Sequence, residues 1–175
     1  MEFLNNYFIS QILVIISTIF ISITYFTKKR SKVLIIFIFY SCLYGLHYLL
    51  LGALTGFLMN IVSIIRNVLF YLNEQRHKEN SVLFLLILYI IILLFTLYSY
   101  KDIYSIVSMS ASLLSTYSVW QKNLKIYRFI AIIVSILFII YAIHINSLFA
   151  LITEVILLFA EIIGIFINKK GDLHE

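Results

Sequence analysis

Seven apolar stretches of close to twenty residues, separated by gaps that are alternately basic and nearly uncharged, leave this chain few ways to fold. The stretches lie at about 8–26, 33–51, 54–72, 82–99, 103–120, 127–144 and 147–168. Each approaches the roughly 20 residues a helix needs to cross a hydrocarbon core about 30 Å thick. Backbone N–H and C=O groups find no partner in lipid, so such segments span as helices whose hydrogen bonds close internally. Composition agrees: 63% of the residues are apolar, 12% are charged and the mean hydropathy is +1.06. A soluble domain of 175 residues would carry far more charge.

The cations set the expected threading. Of thirteen Lys and Arg residues, eleven fall in every second gap: Lys28, Lys29, Arg30 and Lys32, then Arg76 and Lys78, then Lys122, Lys125 and Arg128, and finally Lys169 and Lys170. The alternate connections, near 51–54, 99–103 and 144–147, hold only Lys101. The positive-inside rule then places the N-terminus outside and the C-terminus in the cytoplasm. The start is acidic and polar (Glu2, Asn5, Asn6) without a basic region or a small-residue cleavage site, so the first stretch is expected to stay as a helix. The basic balance is read as topology signal beside anionic lipid headgroups, not as a nucleic-acid surface. One cysteine, Cys42, excludes disulfides and Cys-based metal sites, and no cofactor is implied.

The connection lengths repeat. Stretches one to three are joined by a basic loop and then a tight turn, and so are stretches five to seven. An offset of 94 residues lays Lys28 on Lys122, Leu54 on Leu148, and Gly52-Ala53 on Asn146-Ser147. A three-helix unit repeated after one odd helix has the same orientation both times. The expected fold is therefore an all-α membrane protein of seven transmembrane helices in a 3+1+3 plan, with two parallel repeats. Residues 1–80 form the first unit, 81–101 the linker helix and 102–175 the second unit. No proline occurs, so kinks must come from Gly or from Ser/Thr bonding back to the preceding turn. The fifth stretch is dense in hydroxyls (Ser105, Ser108, Ser110, Ser112, Ser115, Thr116, Ser118), which favours close helix packing over a polar lining. Gly45, Gly52 and Gly56 are read the same way, as sites of close helix approach.

Polar residues inside the stretches are few. Asn60 and Asn67 are seven apart in the third, and Glu154 and Glu161 are seven apart in the seventh. Seven residues is nearly two turns, so each pair shares a face about 10 Å apart along the axis. The 94-residue offset lays Asn60 on Glu154 and Asn67 on Glu161. A lipid-facing carboxylate costs several kcal/mol, which turns these faces inward. Arg66 and Glu161 sit at similar depth and are candidates for an inter-repeat clamp or a cytoplasmic gate, with Asn67 beside them. Glu154 has no basic partner in the sequence: it is protonated, binds a cation or faces water. Asn60 either bonds a neutral solute or pairs with Glu154. His47 and Tyr141 also correspond; His47 is read as a helix-to-helix bond ahead of a proton relay. His144 and His77 fall at the boundaries, Trp120 fits an interfacial anchor, and the thirteen tyrosines look too dispersed for a stacked platform.

The stretch from Tyr44 to Met59, Tyr-Gly-Leu-His-Tyr-Leu-Leu-Leu-Gly-Ala-Leu-Thr-Gly-Phe-Leu-Met, followed by Asn60 and by Arg66-Asn67, resembles the YgjV-like family of bacterial inner-membrane proteins. A Tyr before a tight turn and then Glu154 in the second half is similar to that family too. The resemblance implies a multi-pass protein of the bacterial inner membrane. That family is distantly similar to the SWEET and PQ-loop transporters, which share the 3+1+3 plan and line the substrate site with an Asn on the third helix of each repeat. Asn60 matches that place, and Glu154 stands at the second. The Pro-Gln pair is absent from both halves, so the proline hinge of those transporters does not carry over.

The expected function is small-solute transport by rocking of the two units, with Asn60, Glu154, Tyr141 and His47 as candidate substrate contacts. Expected partners are the lipid bilayer, a small polar solute and a proton or cation, with no nucleic acid; homo-oligomerisation stays open. The alternative is a non-transporting scaffold or assembly partner of a membrane complex. An enzyme is not expected: no nucleophile and base fall together, zinc ligands are lacking, and no Gly-rich phosphate loop occurs.

Overall fold

The computed structural model describes the backbone of residues 2–24, 27, 29–121 and 123–171, with side chains except at 2–4, 124–125 and 166–171. Lys28 and Lys122, and the side chains of Lys125, Lys169 and Lys170, lie outside the described residues. The chain is all-helical: α1 (Glu2–Ile23), α2 (Arg30–Leu50), α3 (Leu54–Gln75), α4 (Val82–Ser99), α5 (Ile103–Trp120), α6 (Leu124–His144) and α7 (Leu148–Gly171). Six of these seven helices are long and apolar enough to cross a membrane. The exception among the described residues is α5, expected as a span like the others. Its six serines and Thr116 hold its hydropathy down.

Helix ends follow local chemistry. The α2–α3 and α6–α7 turns each close with a residue at positive φ, Gly52 (68°) and Asn146 (53°). Glycine has no Cβ penalty there, and Asn tolerates that region better than most side chains. In both turns the following N–H reaches back five residues, from Ala53 to Tyr48 O (2.9 Å) and from Ser147 to Ala142 O (3.0 Å). This Schellman geometry satisfies carbonyls that a helix end would otherwise leave bare. Space around Gly52 is open, so it serves the turn and not the close packing expected of it. Asp102 caps α5 by accepting from Tyr104 N and Ser105 N.

Consecutive helices α1, α2 and α3 pack as one arc, and α5, α6 and α7 as another. Contacts of α3 with α5 and of α1 with α7 join the arcs into a six-helix ring. Helix α4 lies outside the ring, against α3 and α5. Its buried residues Leu85, Leu88, Ile92, Thr96 and Ser99 recur every three or four positions, one helical stripe. Leu88 and Ile92 of the stripe join Met59, Val62, Phe70 and Val119 in one core; Val14, Tyr44, Tyr48, Tyr141 and Ala150 belong to a second core. Large apolar side chains such as Ile19, Phe39, Leu86, Leu97, Phe129 and Phe159 cover the outside of the ring and of α4. Such a surface suits lipid and not water.

Candidate functional site

The ring encloses a cavity of about 140 Å³, room for a cluster of waters or one compact solute. It reaches Tyr48 in one direction and Thr24, Ser118 and Tyr127 in the other. These last three lie within a turn of the α1–α2 and α5–α6 connections, so the cavity extends toward that end. The tight-turn end is filled. Residues 94 apart line opposite walls: Tyr40 with Val134, Ser41 with Ser135, Tyr44 with Phe138, Asn60 with Glu154, Ser63 with Leu157, and Asn67 with Glu161. On α1 and α5 the same offset relates Ile21 to Ser115 and Thr24 to Ser118.

Five of the seven residues singled out from sequence line this cavity: Asn60, Arg66, Asn67, Glu154 and Glu161. Glu154 is 3% exposed and accepts a hydrogen bond from Tyr44 Oη at 3.3 Å, with Tyr40 donating a second. Phenols bond a carboxyl oxygen without bringing a charge, which is how this acid is held on an apolar helix. Among the described residues no cation forms an ion pair with it. Asn60 donates to Gly56 O (2.9 Å), back along its own helix, and not to Glu154. Gly45 makes room for it: a Cβ at 45 would stand 3.2 Å from Asn60 Cβ.

Arg66 and Glu161 form no clamp. The Arg66 guanidinium donates to Asn67 Oδ1 (3.1 Å), Ser115 Oγ (3.1 Å) and Thr116 Oγ1 (3.3 Å), and Glu161 is not within ion-pair distance. Adjacent helix positions are turned about 100° from each other, so Arg66 points to α5 while Asn67 points into the ring. It still ties the two arcs, through hydroxyls. Glu161 instead interacts electrostatically with Arg128 of α6. The Arg128 guanidinium lies where a Cβ of Gly164 would be. The fifth helix divides its hydroxyls: Ser112, Ser115 and Ser118 line the cavity, whereas Ser105 packs toward Thr55 (3.4 Å).

His47 and Tyr141 sit outside the cavity, at the tight-turn end. His47 is 0% exposed; Nδ1 meets Ser10 O (3.1 Å) and Nε2 meets Ser147 Oγ (3.2 Å) at the start of α7. A carbonyl only accepts, so Nδ1 carries the proton. Tyr141 Oη accepts from Gly56 N (3.1 Å) in the first turn of α3. Each residue thus reaches from the second helix of one arc to the start of the third helix of the other. His47 Nε2 then accepts the Ser147 hydroxyl hydrogen, and Gln11 extends this seal, its Oε1 accepting from Phe149 N (3.2 Å) beside Ser147 Oγ (3.4 Å).

The tyrosines are not dispersed. Tyr40, Tyr44 and Tyr48, spaced by four on α2, fall on one face. Their rings pack at 4.9 and 5.2 Å between centroids, and Tyr48 meets Tyr141 at 5.5 Å. That spacing was the available signal for Tyr40 and Tyr44 as cavity residues; nothing comparable marked Ser63 or Gln11. At the boundaries, His144 pairs with Asp102 (2.9 Å) and stacks on Tyr104, and Trp120 Nε1 donates to Asn80 O (3.1 Å). Among the described residues no group of three His, Cys, Asp or Glu could hold a metal ion.

Comparison with known proteins places the chain by sequence. The Imp-YgjV family, described as bacterial inner membrane protein, matches residues 8–170. No curated protein and no solved structure matches, and the likeness to SWEET and PQ-loop transporters gains no support from either comparison. With nearly its whole length matched and six helices fit to cross a bilayer, the chain belongs to the Imp-YgjV family of bacterial inner membrane proteins.

Proposed function

We propose that this chain is a small-solute transporter in which two three-helix units, α1–α3 and α5–α7, rock about an enclosed site while α4 links them. The observation that carries the reading is the cavity itself, which puts Asn60, Ser63, Arg66, Glu154 and Glu161 inside a ring sheathed in apolar side chains. Ionisable side chains at membrane depth are costly and cluster on solute or ion paths. Three further features support two related units, bounded at 1–80 and 102–175. The cavity walls pair at an offset of 94 residues. The two tight turns share their hydrogen bonds: Leu51 N to His47 O and Ala53 N to Tyr48 O recur as Ile145 N to Tyr141 O and Ser147 N to Ala142 O. His47 and Tyr141, also 94 apart, clasp opposite units.

The alternation of cations argues for an outer N-terminus and a cytoplasmic C-terminus. The filled tight-turn end then faces outward, and the cavity extends inward. A reporter enzyme active only outside the cytoplasm, fused at residue 101, should be active, and fused at residue 78, silent. The transport reading is tested with proteoliposomes loaded with a mixture of sugars, amino acids, polyamines and short carboxylic acids. Retained solutes are measured over time for the native chain and for Glu154→Gln, in which Tyr40 and Tyr44 still have an oxygen to bond. Loss of a solute from native vesicles only supports the reading; equal retention in both counts against it.

A further inference from the structure

Arg66 is a buried cation without an acid. It is 5% exposed, and all three of its acceptors, Asn67 Oδ1, Ser115 Oγ and Thr116 Oγ1, are neutral. Those bonds use Nε and Nη1, so Nη2 takes no part in them. A guanidinium stays protonated in a protein, so the charge cannot be relieved by loss of a proton. Glu161 forms no ion pair with it and interacts electrostatically with Arg128. Asn67 supplies the independent observation: it is 0% exposed, gives its oxygen to Arg66, and its Nδ2 is buried with no acceptor. Both residues line the cavity. Beside the cavity thus stand a guanidinium whose hydrogen-bond acceptors are all neutral and an adjacent amide donor without an acceptor.

We infer that Arg66 and Asn67 form an anion subsite that takes the carboxylate of a small soluble solute. A guanidinium fork matches the two oxygens of a carboxylate in one plane. A volume of about 140 Å³ limits the solute to a compact one. The inference rests on the solute-cavity reading above, deepening it to a substrate class.

The test uses the purified full chain in detergent and follows thermal unfolding with propionate, propionamide and chloride at matched ionic strength. Propionate at a hundredfold excess over its dissociation constant should raise the midpoint by roughly 5 °C. Propionamide and chloride should leave it in place. Asn67→Asp brings a carboxylate to Arg66 from within, so it should raise the midpoint of the free protein and abolish the propionate shift. Should that variant not purify, Arg66→Lys keeps the charge but loses the fork and should weaken propionate about tenfold. Equal shifts with propionamide, or with chloride, overturn the carboxylate subsite, as does a destabilised Asn67→Asp protein that still responds to propionate. Solute release from vesicles without any carboxylate preference would sink the subsite alone. Propionate binding without release of any solute would sink the transport reading alone.

Discussion

Replacing Gly56 by alanine probes whether the two arcs are clasped as the geometry indicates. A Cβ at this position would stand 2.8 Å from Tyr48 Cγ, 2.9 Å from Tyr48 Cδ2 and 3.0 Å from Tyr141 Cε1. These are ring atoms of side chains 1% and 3% exposed, packed against each other at 5.5 Å between ring centroids. Overpacking of this kind costs about 1–3 kcal/mol. Pushing Tyr141 away also weakens its bond to Gly56 N, worth about 1 kcal/mol. Against this, Gly→Ala in a helix interior gains roughly 1 kcal/mol. The net expectation is a loss of about 1–3 kcal/mol, read as thermal unfolding of the purified protein with Trp120, its single tryptophan, as the fluorophore. A double-mutant cycle with Tyr141→Phe sharpens it. If the Tyr141 hydroxyl and Gly56 share one hydrogen bond, the double mutant should lose less than the two single losses together. A Gly56→Ala protein as stable as the native one, or strictly additive losses, would refute the clasp.

Other consequences follow from the same geometry. His47→Ala removes two buried side-chain hydrogen bonds and leaves a void, so a loss of about 2–4 kcal/mol is expected in the same unfolding assay, with Ser147 left to Gln11. Asn146→Gly should stabilise by a few tenths of a kcal/mol to about 1, because glycine takes the φ of 53° without strain; Gly52→Ala should destabilise by about 1 at its φ of 68°. Arg30→Ala breaks a partly exposed pair with Glu74 at 3.5 Å and should cost less than about 1 kcal/mol from that pair. The bond from Arg30 Nη2 to Val119 O adds a component that salt should not screen, separable by repeating the melt at high ionic strength.

The helices were legible because each apolar run stops where lipid would, and the observed bounds fall within three residues of those runs except at the start of α1, which begins six residues earlier. The inward faces of α3 and α7 were legible too, since Asn60, Asn67, Glu154 and Glu161 are costly anywhere else. Partners were harder to read. Arg66 and Glu161 share a depth, but depth says nothing of azimuth, and one residue of rotation sends Arg66 to the hydroxyls of α5. His47 and Tyr141 looked like binding groups because they are polar and matched. They are consumed in sealing one end, which depends on how two arcs meet and not on either helix alone. The face of Tyr40, Tyr44 and Tyr48 was present in their spacing and obscured by ten other tyrosines.

The position of α4 makes the two joints of the ring unlike. Where α3 meets α5, the chain itself crosses through α4 and its short connections, so separation there must bend covalent structure. Where α1 meets α7, among the described residues only side-chain contacts cross, such as Thr18 to Thr153 at 2.6 Å and Tyr7 to Asn146 O at 3.3 Å. One joint is thus a tether and the other a catch. Any movement of one arc against the other takes its pivot from the α4 side and its largest excursion at α1 and α7, on the flank that faces lipid.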